Sequence, residues 1–89
     1  MEIEKGNYYL IPEYDTRASF YNKARVCLDC GIKTLYSYET KVCYIKDGVA
    51  VVLGVWSGTT TRHIKEFLKQ NGFKAENKNQ ILKDYLKKD

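Results

Sequence analysis

Residues 56–73, WSGTTTRHIKEFLKQNGF, constrain the fold more than any other part of this chain. The run leaves an apolar stretch, crosses Ser57-Gly58, passes three threonines and then spaces its apolar residues as a helix does. Ile64, Phe67, Leu68 and Asn71 fall on one face; Arg62, Lys65, Glu66 and Lys69 fall on the side expected to face water. Arg62 and Glu66 have the spacing of a helical ion pair. A hydroxyl at a helix start accepts from a free amide two or three residues on, so Thr59 or Thr60 is the expected N-cap. Gly72 is placed to stop the helix in a left-handed conformation, with Phe73 as the apolar contact that follows. The spacing predicts a helix over about 60–71 with one apolar side to bury.

The surface it needs lies upstream. Tyr8 to Ile11 is a short β-type run closed by Pro12, which suits an edge strand or an extended lead-in. Glu13 to Ala18 reads as loop. Ala24, Val26 and Leu28 alternate with Lys23, Arg25 and Cys27, giving a strand with one buried face. Asp29-Cys30-Gly31 is a turn signal. Thr34 to Tyr38 and Lys41 to Lys46 are β-type, with a bulge or bend expected at Glu39-Thr40. Asp47-Gly48 is a strong two-residue hairpin signal. Val49 to Trp56 is apolar on both faces and reads as a central strand. Ile81, Leu82, Tyr85 and Leu86 make the stripe of a second helix over about 77–87, its end complemented by Lys87-Lys88. The expected fold is α+β: one domain over 1–89, an antiparallel meander of three to five strands spanning about 7–56, and one or two C-terminal helices packed on one face.

Composition narrows the class. With 44% apolar and 13% aromatic residues in 89, the chain has enough to bury for a folded globule. Eight of its aromatics are tyrosines, which pack through the ring and keep the hydroxyl wet. The longest apolar run is far short of the ~20 residues of a membrane-spanning helix. MEIEKGNYY has no basic start and no apolar core, so the expected location is the cytosol of the cell that makes it. Residues 1–61 carry seven basic and seven acidic residues; residues 62–89 carry eight and four, and so supply the whole net charge of +4. A weakly basic helical segment on a neutral sheet permits an acidic protein or nucleic acid as partner. Cys27 and Cys30 have C-x-x-C spacing, but a closed zinc site needs four ligands and only Cys43 and His63 remain. Free thiols are expected, and neither metal nor cofactor is called for.

The convergent polar groups are Tyr38, Thr40, Ser57, Thr59, Thr60, Thr61, Arg62 and His63. A glycine, three threonines and an arginine at the positive end of a helix can hold an anion, though no phosphate-loop motif is present. The same residues can equally be a capped helix start. His63 is the only histidine, and no nucleophile and orienting carboxylate accompany it in sequence. A neutral ring with a packing role is expected, and no catalytic set. Lys65, Lys69, Lys74 and Lys78 are the candidate basic contacts. Tyr36 and Tyr38 are expected on one strand face, near Tyr44, either as a stacking platform or packed against one another.

Three segments, SFYNKARV (19–26), LYSYETKVCYI (35–45) and residues 56–73, resemble a family of small uncharacterised proteins of phages, prophages and plasmids of Gram-positive bacteria. That family has an SY-x-T element, here Ser37-Tyr38-Glu39-Thr40. It also has an S-x-TT-x-RHI-x-EFL-x-Q-x-G element, here Ser57 to Gly72 with Gly58 where alanine is frequent. The resemblance implies a mobile-element setting and carries no activity. Small phage proteins without catalytic machinery often bind and block host proteins, including CRISPR and other defence effectors. The expected function is thus a non-enzymatic protein-binding inhibitor or modulator, monomeric or homodimeric and not membrane-bound. The alternative is a nucleic-acid-binding accessory protein using the basic helices and sheet tyrosines.

Overall fold

Three of the strand connections are two-residue turns in which both central residues have positive φ. Cys30 and Gly31 lie at 52° and 82°, Tyr38 and Glu39 at 51° and 68°, and Asp47 and Gly48 at 52° and 76°. This is the type I′ pattern, whose twist matches that of the strands it joins. The computed structural model describes residues 6–15 and 23–87. Within them the turns link four strands, β2 (Ala24–Asp29), β3 (Ile32–Ser37), β4 (Thr40–Lys46) and β5 (Val49–Val52), and β1 (Gly6–Tyr9) pairs with β2. The result is a five-stranded antiparallel meander in the order β1-β2-β3-β4-β5, followed by α1 (Gly58–Gln70) and α2 (Lys78–Tyr85). The α+β meander with C-terminal helices is the expected architecture. The SFYN start of the first familiar segment lies outside the described residues.

Strand alternation decides what the helices cover. Val26, Leu35, Cys43 and Val52 stand opposite one another in a single row across four strands. All four are buried, together with Ala24 and Ala50. Ile64, Phe67 and Leu68 of α1 and Ile81 of α2 close over them in the same cluster. Each such large side chain stabilises the fold by about 1.5–3 kcal/mol through burial. Register shifts between Leu35 and Tyr36, which face Cys43 and Lys41, so Val42 is an extra residue in β4. Val42 and Cys43 are consequently both buried, and the bulge sharpens the local twist.

Three expectations from the sequence do not hold in the fold. The irregularity at Glu39-Thr40 is a hairpin turn at Tyr38-Glu39, and the bulge lies at Val42 instead. The turn has neither glycine nor asparagine, so its residues do not announce it. Tyr36 and Tyr38 do not share a strand face, because Tyr38 leaves the strand for the turn. The run from Val49 to Trp56 is not a central strand: β5 is the last in the sheet, and it ends at Val52. The run is continuously apolar because its first half alternates on a strand and its second half is a connector that packs Trp56 against the core.

The helix ends follow local chemistry. At the end of α1 the Phe73 N–H donates to the Leu68 carbonyl at 2.9 Å and the Gly72 N–H to Lys69 at 3.1 Å, with Gly72 at φ 83°. That is a Schellman stop, with Phe73 packed on the core as expected. Asn77 caps α2 by accepting from the Gln80 N–H at 2.9 Å. The second helix stops at Tyr85 rather than near 87, because Leu86 turns extended to bridge Val52 and the Lys87 N–H donates to the Val52 carbonyl at 2.8 Å. Lys87 therefore serves the edge of β5.

Candidate functional site

The helix start is set by Ser57, not by Thr59 or Thr60. Its hydroxyl accepts from the Thr60 N–H at 3.4 Å, and the helix begins at Gly58. Beginning two residues early turns each threonine to a different task. Thr59 is half-buried. Thr61 donates its hydroxyl back to the Ser57 carbonyl at 2.8 Å. Thr60 is buried and points at the sheet.

There it meets Ser37, on the inner face of β3. The Ser37 hydroxyl lies 3.0 Å from the Thr60 hydroxyl and 2.8 Å from Nδ1 of His63. Thr60 and His63 sit one turn apart on α1, so a single serine reaches both. Tyr38 lies over this cluster, its ring 5.8 Å from the His63 ring. The SY-x-T and S-x-TT-x-RHI elements are therefore in direct contact. Yet Ser37 is 2% exposed and His63 is 0% exposed, so the pair is sealed from solvent. A hydroxyl beside an imidazole is the geometry of an activated nucleophile; here it lies where helix meets sheet and holds the two together.

The remaining motif residues also work inward. Glu66 is 2% exposed, against the expectation that it faces water with Arg62. Its carboxylate accepts from the Glu13 N–H at 2.7 Å, the Tyr14 N–H at 3.0 Å and the Gln70 side-chain amide at 2.6 Å. Gln70 also donates to the Ile11 carbonyl at 2.7 Å. The EFL-x-Q element thus clamps the segment after β1 onto α1. Helical periodicity placed Glu66 on the side facing water, and no local signal marks a backbone segment more than fifty residues away as its partner. Ser37 could have been found by parity, since it shares the inner face with Leu35.

Of the other nominated residues, Thr40 and Arg62 are exposed. Arg62 does not join His63; it lines a shallow groove with Tyr14, Asp15, Lys65, Glu66 and Lys69. Lys69 stands 5.6 Å over the Tyr14 ring. Lys78 donates to the Trp56 carbonyl at 3.0 Å, and Lys74 is exposed. The nominated polar residues therefore divide between a buried joint and separate surface positions.

The outer face of the sheet is a different surface, and no described helix or loop covers it. Pairing sets Tyr9, Arg25, Tyr36 and Lys41 in one row across β1 to β4. The next row holds Asn7, Cys27, Thr34, Tyr44 and Val51. The Arg25 guanidinium stacks 4.5 Å from the Tyr36 ring centre, and the Lys41 ammonium lies 5.8 Å from that of Tyr44. Arg25 also donates to Asn7 at 2.7 Å and pairs with Glu39 at 3.4 Å. Alternation adds Lys46 and Asp29, leaving the face more basic than acidic.

The three thiols are apart in chemistry as well as place. Burial pushes Cys43 up to about 12. The hydrogen bond and charge of neighbouring Asp29 raise the exposed Cys30. Cys27 sits half-buried on the outer face. Among the described residues no three His, Cys, Asp or Glu side chains are grouped to hold a metal ion. No helix among them is long and apolar enough to cross a membrane.

No match was found among curated proteins or among solved structures. A family match does exist, and it runs from residue 8 in β1 to residue 83 in α2. It takes in the clamp, the buried Ser37–Thr60–His63 joint and both faces of the sheet. The chain therefore belongs to the family of unknown function DUF8033.

Proposed function

We propose that this chain is a non-enzymatic binding protein encoded by a mobile genetic element, and that it docks on a host protein through the outer face of its sheet as an inhibitor or modulator. An anti-defence role, blocking a CRISPR-type or other effector, is the form of that job suited to such a setting. The observation that carries the reading is the open row of Tyr9, Arg25, Tyr36 and Lys41 beside Tyr44. Tyrosine and arginine dominate binding hot spots because they bring large rigid area and directed polar ends at low entropic cost. The excess of Arg25, Lys41 and Lys46 favours an acidic partner surface, including one that normally holds nucleic acid. The motif residues Thr60, His63, Glu66 and Gln70 are engaged within the fold, which leaves recognition to this face.

A second reading rests on the same rows. Tyrosine rings on the neighbouring strands β3 and β4, flanked by cations, are also what a single-stranded nucleic acid needs for stacking and charge. The test is affinity capture from a defence-positive host, with plaque or plasmid-interference assays run in parallel. The paired variants Tyr36→Ala/Tyr44→Ala and Lys41→Glu/Lys46→Glu are expected to fold normally and to lose both the captured protein and the protection. Binding of bare DNA or RNA that falls steeply with salt, without protection, favours the second reading. Nucleotide or nucleic-acid turnover abolished by His63→Ala would sink both.

A further inference from the structure

We propose that the outward edge of β1, unpaired among the described residues, is an interface between two copies of this chain, with the two β1 strands paired antiparallel about a two-fold axis so that one sheet runs on into the other. This goes beyond the binding reading above and does not rest on it. The fold treats its two sheet edges differently. The edge of β5 is closed by Leu86 and by the Lys87 N–H on the Val52 carbonyl. β1 pairs with β2 and, among the described residues, with no other strand. The Leu10 N–H donates to the Ala24 carbonyl at 2.7 Å. Amide directions alternate along an antiparallel strand, so the Tyr8 N–H also turns toward β2. The N–H groups of Asn7 and Tyr9 then point out of the sheet, ready for another strand.

Charge and area choose a second copy as the occupant. Natural edges are commonly blunted by lysine, proline or inward charge. β1 reads GNYY and carries no charge, so its own copy can lie opposite it with no like charges opposed. It also offers no charged side chain that would select a different partner. An isologous pair needs only one self-complementary strand. Tyr8, Tyr9, Ile11 and Tyr14, in and just after this strand, are between 44% and 74% exposed. An aromatic side chain buries about 150–250 Å², so their exposed parts amount to roughly 450 Å² per copy. A pair could cover at most about 900 Å² before the strand backbones are counted, at the weak end of specific interfaces. The dimer should accordingly form in the micromolar range rather than be permanent.

Sedimentation velocity on the full chain between about 5 and 500 µM is expected to show a dimer that grows with concentration. Asn7→Pro and Tyr9→Pro each remove one outward N–H and spare the backbone bonds to β2, a place where proline is tolerated, although Asn7→Pro also gives up the exposed Arg25 side-chain bond. Each should weaken dimerisation by about tenfold or more, with circular dichroism and thermal midpoint unchanged. Hydrogen exchange on the unsubstituted chain reads the same contact without any variant. The Asn7 and Tyr9 amides should slow by roughly tenfold across that concentration range, while amides in α1 do not change. A chain that stays monomeric throughout overturns the proposal. So does a dimer that both proline variants leave intact, or exchange at these two amides that ignores concentration.

Discussion

The Ser37 hydroxyl sits 2.8 Å from Nδ1 of His63, with the Thr60 hydroxyl 3.0 Å away on its other side. One serine on the sheet thereby satisfies two polar side chains on the helix. All three are buried, so removing the serine takes one hydrogen bond from each of two buried side chains. Ser37→Ala should cost about 1–3 kcal/mol. Urea unfolding monitored by Trp56 fluorescence measures it, and a loss under about 0.5 kcal/mol would show that the joint does not hold helix to sheet.

The carboxylate of Glu66 stands in for a missing strand partner of the Glu13 and Tyr14 amides. Glu66→Ala should leave those two N–H groups and one N–H of the Gln70 amide unmatched, while Gln70 keeps its bond to the Ile11 carbonyl, and cost roughly 2–4 kcal/mol. Glu66→Gln keeps the shape and one acceptor oxygen, and should fall between. Exchange at the Glu13 and Tyr14 amides should accelerate in both variants. If it does not, the clamp is not what orders this segment.

Cys43 makes stability depend on pH. Its thiol is raised by burial to about 12, from an ordinary value of 9.0. The folded chain keeps the proton while the unfolded chain loses it, so the contribution is whole below pH 9 and is lost as pH climbs toward 12. The slope from this group is about 1.4 kcal/mol per pH unit. Lysines and tyrosines titrate in the same window, so the quantity to measure is the difference between the natural chain and Cys43→Ala. That variant should be less stable near neutrality and show the shallower decline above pH 9. Native-state alkylation should label Cys27 or Cys30 and leave Cys43 untouched until unfolding.

The helix start offers a sharp comparison of neighbours. Ser57→Ala should cost about 1 kcal/mol, since it removes the cap. Thr59→Ala should fall within about 0.5 kcal/mol of the natural chain. The reverse order would restore Thr59 as the cap and move the helix start to it. Phe67→Ala, at the centre of the core, should cost about 3–5 kcal/mol.

Much of this architecture was legible wherever the deciding interactions are local. Asp47-Gly48 declared its turn because both residues tolerate a left-handed backbone, and Gly72-Phe73 declared its stop for a related reason. Tyr38-Glu39 did not, because its backbone is imposed from outside: the Ser37–Thr40 pair closes it, and Tyr38 N–H donates to the Lys23 carbonyl at 3.0 Å. Ser57 lost out to the threonines because capping residues are chemically alike and only the first helical turn distinguishes them. Glu66 was misplaced because a charged residue on a helix reads as solvated unless its partner is nearby in sequence. For the candidate site, the sequence singled out residues 37–40 and 57–63, and only the strand register revealed that Ser37, Thr60 and His63 meet inside and that tyrosine and cation alternate on the opposite side.

Every strand pairs with its neighbour in sequence, and that ordering has a kinetic meaning. From Ala24 to Val52 the chain can zip hairpin by hairpin, each step closing a loop of a few residues at little entropic cost. The sheet is thus able to form as the chain emerges from a ribosome, before the helices exist. What cannot form early are the contacts that span the molecule: the Glu66 grip on residues 13–14 and the Leu86 bridge to Val52. Until α1 and α2 have been made the inner face of that sheet stays bare, and these two helices are what cover it.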